Sequence, residues 1–412
     1  MLHQANKTDS DILTASKEVF NALSKIPISA LLAHKRASQG TNSHPTPSQL
    51  ISVDESMPLR DVLVTLAKHS ILAVPVTSHP VQQPEDTGFA GIVSIYDVLA
   101  WTVFQKMFDS LQSLDSSPNN ANHFGQQAVE YFNTPVSELI GCTVESSTSW
   151  TLHSTDFLST LLQMITRPPF HRMLVIDVDA AIESVDVEMD KEGNTEGNQR
   201  RSCIAMVTQM DLLRFVNAHA DAIAPFALAR LYSIGVADVL GYARRQGRTD
   251  QDPKDIRSDG VTVLNSMHVN EHGVVVVGSH VTALQAFRVM YVHRVSAVAI
   301  VSRHGEIVAN LSASDLRGVT GDLESLQSFL LPVFEFLETR SGKRGLGSLK
   351  ADQLKCVDRE HAFGQAVKTV LEEGIHRVWV QDSAEIPAGV LTVGDMPSLF
   401  VPPSHVVSET SF

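Results

Sequence analysis

The chain has 412 residues and only three cysteines, Cys142, Cys203 and Cys356. Their spacing makes neither a metal ligand set nor an even disulfide framework, which suits a reducing compartment. Positive charge is also scarce: 32 Lys and Arg stand against 46 Asp and Glu, for a net charge of -14. With no Arg/Lys stripe and no basic amphipathic helix, that balance argues against nucleic acid or an anionic membrane as a partner. Any anionic ligand must be held by a local group of cations. No apolar run approaches the roughly 20 residues of a membrane span. The start, MLHQANKTDSD, lacks the charged-then-apolar order of a signal peptide, so a cytoplasmic and also a nuclear location is expected. Signatures of catalysis are missing as well. There is no Walker A sequence and no G-x-S-x-G elbow; GKRGLG (Gly342 to Gly347) follows no strand. His268 and His272 are spaced i, i+4, but their β-branched neighbours suggest strand or loop, where a zinc helix is required. The chain is not expected to be an enzyme, and no metal or catalytic cofactor is expected.

What the chain does contain is an internal repeat, and repeats decide architecture before any element is assigned. From Val281 to Thr320, Thr282 can cap a helix with Leu284, Phe287 and Tyr291 on one face, which His293-Arg294 ends. Ser296 to Val301 is an apolar β-rich run, Arg303 to Glu306 a turn, and Ile307 to Ser312 a returning strand. Ser312-Ala-Ser-Asp315 then opens a helix. The order recurs from His361, with His376-Arg377 and Thr392-x-x-Asp395, and from Ser154, with His171-Arg172 and Thr208-x-x-Asp211. It also recurs from Met57, with Ser94-x-x-Asp97, although there the junction is His69-Ser70 and the arginine is missing. Read on the dipeptide, three consecutive repeats place His-Arg at one helix-to-strand junction.

Each motif has a structural explanation beside the functional one. Ser or Thr followed by an acid at the third position is a capping box worth about 1 kcal/mol. A cation at a helix end is favoured by the helix dipole. Against that, all four acids are Asp and each follows a strand, where a carboxylate can accept two hydroxyls, while an Arg fork suits phosphate.

HRVSAVAIV with S-x-x-D in the third repeat and HRVWV with GVLTVGD in the fourth resemble the CBS domain. Four copies resemble the tandem modules of the γ subunits of AMP-activated protein kinase. The resemblance implies an α/β fold, with four CBS-like repeats paired into two modules of small sheets flanked by helices. It implies a regulatory adenine-nucleotide-binding protein whose nucleotide is bound at the motifs Ser94-x-x-Asp97, Thr208-x-x-Asp211, Ser312-x-x-Asp315 and Thr392-x-x-Asp395, with the aspartates on ribose. His171, Arg172, His293, Arg294, His376 and Arg377 would hold the phosphates of AMP, ADP or ATP. Ser/Thr kinase catalytic and scaffold subunits are the implied partners; an interaction scaffold and a stand-alone sensor are the alternatives.

On this reading a leading segment occupies 1–26, repeat one 27–110 and a linker 111–134. Repeat two occupies 135–220, with an acidic insertion at 178–201, before a connector and lead-in at 221–260. Repeat three spans 261–320, an inter-repeat helix and loop 321–346, repeat four 347–401 and a tail 402–412. Pro27-Ile-Ser-Ala-Leu, Pro135-Val-Ser-Glu-Leu and Val236-Ala-Asp-Val-Leu form similar lead-ins, with a weaker Gly347-Ser-Leu-Lys before repeat four. Pro332 should kink or divide the apolar stripe from Leu323 to Leu337.

Overall fold

The computed structural model describes residues 2–39, 50–78, 88–103, 129–143, 145–146, 151–167, 170–176, 203–245, 269–319, 323–341 and 354–403. The acidic insertion, most of the connector, GKRGLG and Gly347 to Lys350 lie outside them.

Four three-stranded sheets are present among these residues, one per repeat, each with its strands in chain order. The first repeat has β1 (Val53–Asp54), β2 (Ala73–Thr77) and β3 (Phe89–Ser94); the second has β4 (Thr151–His153), β5 (Arg172–Ile176) and β6 (Cys203–Thr208). The third has β7 (Val276–Gly278), β8 (Ala297–Val301) and β9 (Ile307–Ser312), and the fourth β10 (Cys356–Asp358), β11 (Arg377–Gln381) and β12 (Pro387–Thr392). In every copy the first strand is parallel to the middle one and the third antiparallel to it. The opening strands, two or three residues long, carry no readable alternation and are additions to the sequence-based order.

The crossover helices α3 (Leu59–Lys68), α5 (Leu158–Ile165), α9 (Ala283–Val292) and α11 (Phe363–Glu373) join first to middle strands. Thr282 caps α9 as its sequence predicts: its hydroxyl accepts from Gln285 N–H at 3.3 Å in a capping box. The remaining long helices are α1 (Leu2–Leu23), α2 (Ile28–Gln39), α4 (Ile95–Val103), α6 (Gln209–Ala218), α7 (Pro225–Tyr232), α8 (Val236–Arg245) and α10 (Val333–Ser341). α1 starts well before the expected Asp11, and Ile12, Val19, Phe20 and Leu23 form its buried stripe.

Packing pairs the repeats twice over. Sheets of repeats one and two meet through Ala73, Ile92 and Leu174; those of repeats three and four meet through Ala297, Ala299, Trp379 and Val390. Trp379 Nε1 donates to Asn310 Oδ1 at 3.1 Å across the second pair, and Ile307 N–H donates to Glu385 O at 2.9 Å. On the other side the helices of repeat one share a core with those of repeat three. Repeat two shares one with repeat four, covered by α1 and α2.

The lead-ins are exchanged within each module. Ile28 N–H bonds Asp156 O at 2.7 Å, so the first lead-in docks on repeat two, while Val136 N–H bonds Met57 O at 2.9 Å, so the second docks on repeat one. Val236 N–H reaches His361 O at 2.8 Å in repeat four, and Val333 N–H reaches Val281 O at 2.7 Å in repeat three. The fourth lead-in is therefore Pro332 with α10, where Gly347 to Lys350 was expected. Pro332 does divide the stripe: a 3-10 turn, Ser328–Leu330, ends before it and α10 begins after it. Proline lacks the N–H a continuing helix needs, and the extended backbone it favours pairs with Thr282.

Phe336 of α10 is fully buried against Phe287 and Phe329. Truncating such a ring leaves a cavity, so Phe336→Ala should destabilise the protein by about 3 to 5 kcal/mol in denaturant unfolding. A cost near zero would show that α10 is not an integral lead-in.

Candidate functional site

Each middle strand begins opposite the end of its third strand. Ala73 pairs with Ser94, Arg172 with Thr208, Ala297 with Ser312 and Arg377 with Thr392. Arg172 and Arg377 thus occupy one place in the even repeats, where the odd repeats have alanine. His293 instead caps the C-terminus of α9, and Arg294 follows in the left-handed region at φ 52, as Ser70 does at φ 53 after His69. In repeat four the left-handed residue is Gly374, three positions before Arg377. The shared dipeptide is therefore not at one junction: His293-Arg294 lies a helical turn upstream of the place held by His171-Arg172 and His376-Arg377. A left-handed Arg is an uncommon C-terminal residue, which is why spacing alone misaligned it. Arg294 is exposed.

The S/T-x-x-D motifs all close as capping boxes. Ser94 N–H and hydroxyl donate to Asp97 Oδ2 at 2.8 and 2.7 Å; Thr208 does so to Asp211 Oδ2 at 2.9 Å from both atoms. Thr392 bonds Asp395 Oδ2 at 2.8 and 2.7 Å, and Ser312 N–H bonds Asp315 Oδ2 at 2.7 Å with its hydroxyl at 3.3 Å. In repeat three the helix that follows is a 3-10 helix, Ala313–Gly318.

What surrounds each carboxylate differs. Asp97 is fully buried, and its Oδ1 accepts from Thr143 N–H and hydroxyl at 3.1 and 2.7 Å. Lys35 of α2 lies 2.8 Å from Asp211 Oδ2 and also donates to Met206 O at 2.9 Å. His171 N–H donates to Glu145 Oε1 at 2.9 Å, and Arg172 Nε is 3.6 Å from the same oxygen. Burial opposes ionisation of Glu145, yet Arg172 and His171 outweigh it and hold the carboxyl at about 2.

The second module gathers cations. Arg377 Nη2 donates to Ser296 Oγ at 3.0 Å, reaching from repeat four into repeat three. Burial raises the pKa of Asp315, against the Ser312 hydrogen bonds and the charges of Arg377 and Arg340. Burial lowers Arg317 and Arg340, and brings Arg377 to about 10, each opposed by Asp315. His376 is solvent-exposed, yet it is held down to about 4, first by desolvation within the surrounding protein and then by Arg377, Arg317, Arg172 and Arg214. The cations that act on it come from repeats two, three and four. Arg172 Nη1 there is buried without a hydrogen-bond partner.

Among the sequence candidates, Asp315, Ser312, Arg172, His376 and Arg377 come together. Thr392 and Asp395 stand at the end of the adjoining strand and pair with each other, while Asp97 and His171 have partners inside the first module. The sequence reading missed Lys35, Thr143, Glu145, Arg214, Arg317 and Arg340. A signal existed for two of them: an Arg follows the motif aspartate by two residues in repeat three and by three in repeat two.

A family model described as the CBS domain matches residues 45–103, the span that holds β1, α3, β2, β3 and α4. The first repeat thus matches the CBS domain. Two curated relatives from Arabidopsis thaliana are similar to this chain. They are the SNF1-related protein kinase regulatory subunit gamma-like PV42a, 26% identical, and PV42b, 24% identical; each comparison covers 84% of this chain and 90% of the relative. Among solved structures, a protein of Methanocaldococcus jannaschii, described as a proposed archaeal homologue of γ-AMPK, shares the fold with a TM-score of 0.53 at 12% identity. That comparison covers 86% of this chain and 96% of the other.

Among the described residues no helix is long and apolar enough to cross a membrane, and no cluster of His, Cys, Asp and Glu could hold a metal ion.

The depressed pKa of His376 has a definite sign. The unfolded imidazole takes a proton near its ordinary value of 6.5 while the folded one resists until about 4, so stability falls as pH drops through that window. His376→Gln should flatten this part of the curve of melting temperature against pH between about 6.5 and 4. An unchanged slope would place the ring outside the cation cluster.

Proposed function

We propose that this chain is a non-catalytic regulatory protein that binds an adenine nucleotide in its second module and acts as a γ-like subunit of a Ser/Thr protein kinase. The carrying observation is the convergence of Arg377, Arg317 and Arg340 on Asp315 beside His376, in a chain whose net charge is strongly negative. Collecting guanidinium groups around one carboxylate is costly without further negative charge, and a phosphorylated ligand supplies it. Arg is suited to this because its planar fork meets phosphate oxygens in pairs. Asp315 has one oxygen engaged by Ser312, which leaves the other as an acceptor for a ribose hydroxyl. The γ-like names of the plant relatives support the kinase-subunit part of the reading.

Calorimetric titration of the full chain with AMP, ADP and ATP tests the nucleotide reading. Asp315→Ala should weaken all three by similar factors. Arg377→Ala should weaken ATP more than AMP, by roughly 10- to 100-fold, since a charge-assisted hydrogen bond contributes about 1.5 to 3 kcal/mol. Equal affinities in folded variants and parent would return both residues to structural roles. Co-purification with a Ser/Thr kinase catalytic subunit tests the partner, and recovery of the chain without any kinase would favour a stand-alone sensor.

A further inference from the structure

The cleft between repeats one and two contains a piece of the chain itself. Thr143 gives Asp97 two donors, N–H at 3.1 Å and hydroxyl at 2.7 Å, on the oxygen left over by Ser94. This is the pattern two ribose hydroxyls would offer. Two residues on, Glu145 presents a buried carboxylate to His171 N–H at 2.9 Å, to His171 Nδ1 at 3.4 Å and to Arg172 Nε at 3.6 Å. That is where an anionic group would be held in this module. The segment is also tied down between these contacts and the sheet. Ser146 Oγ accepts from Gly141 N–H at 2.9 Å and donates to Thr143 O at 3.0 Å. Ser146 O lies so close to Gly91 that a Cβ there would clash with it, so the third strand of repeat one needs glycine where the segment passes.

We propose that Thr143 and Glu145 are a built-in stand-in for ligand, the first as the hydroxyl donor and the second as the anion, and that they close the Asp97 cleft of the first module to nucleotide. The idea rests on the reading that these motifs hold hydroxyls and phosphate. It adds that the two modules have been given different tasks. The first is locked by its own chain and serves as a rigid partner for the second, into whose cation cluster Arg172 extends. Lys35 on Asp211 acts in the same direction at the other motif of that module. Removing the Glu145 carboxylate leaves His171 and Arg172 facing a space the size of an anion, with no counter-charge in it.

The test is ATP stoichiometry by calorimetry on the full chain, with folding checked by thermal melting. Glu145→Ala combined with Thr143→Val should bind one more equivalent of ATP than the parent. A folded double variant with unchanged stoichiometry overturns the inference and leaves the second-module reading standing if the parent binds. A parent that binds none while the variant binds one supports the inference and removes the second-module reading. Should the double variant fail to fold, hydrogen exchange on the unaltered chain decides. The peptide containing Thr143 to Ser146 should exchange slowly without ligand and at the same rate in saturating ATP. Exchange several-fold faster with ATP would show the segment being displaced and would overturn the inference.

Discussion

A three-stranded sheet whose strands run for two to six residues cannot bury its own faces, and everything else in this protein follows from that. One face of each sheet meets the sheet of the neighbouring repeat, through small residues such as Ala73, Ala297 and Ala299 that let the layers approach. The other carries helices whose outer sides must be covered in turn, and they are covered by the helices of the other module. Exchanging lead-ins within a module makes the repeats of a pair interdependent, since Val136 completes repeat one and Val333 completes repeat three. Neither repeat of a pair has a complete set of backbone partners alone.

This double pairing also explains why charge collects at the centre. The middle strands of the even repeats begin with arginine, and the packing brings Arg172, Arg214, Arg317 and Arg377 around His376 although they come from three repeats. The protein balances these cations differently in its two halves. In the first, Glu145, ionised down to about 2, sits against His171 and Arg172, and Lys35 answers Asp211. In the second, Asp315 stands among Arg317, Arg340 and Arg377, and its own carboxyl is raised by burial. Local positive charge is more nearly matched in the first half than in the second. That asymmetry, set by the residues around the capping boxes, is the basis for proposing a closed cleft in the first module and a receptive one in the second.

The repeats were legible because their signals are local. Helical spacing in Leu284 and Phe287, short apolar strands and the S/T-x-x-D caps each depend on a few neighbouring residues. The four opening strands were not legible, because two or three residues cannot show alternation. The fourth lead-in was hidden because Pro332 was read as a break in a helix, when its extended backbone is what bridges to Thr282. The motif aspartates were legible as equivalent positions in the four repeats, and so were Arg172 and Arg377 at the start of the two even middle strands. The equivalence was misread at Arg294, whose left-handed backbone places the dipeptide three positions earlier. Thr143, Glu145 and Lys35 lie far from their partners in the chain, and nothing local marks them.

The central claim is that the second module offers the anion site while the first is filled by its own chain. A crystal structure of the full chain grown with ATP tests this most directly. The account predicts phosphate oxygens on Arg377 and its neighbouring guanidinium groups, a ribose hydroxyl on Asp315, and Glu145 still seated against His171 and Arg172. Nucleotide bound at Asp97 with Glu145 expelled, or no density at the Arg377 cluster, would contradict it.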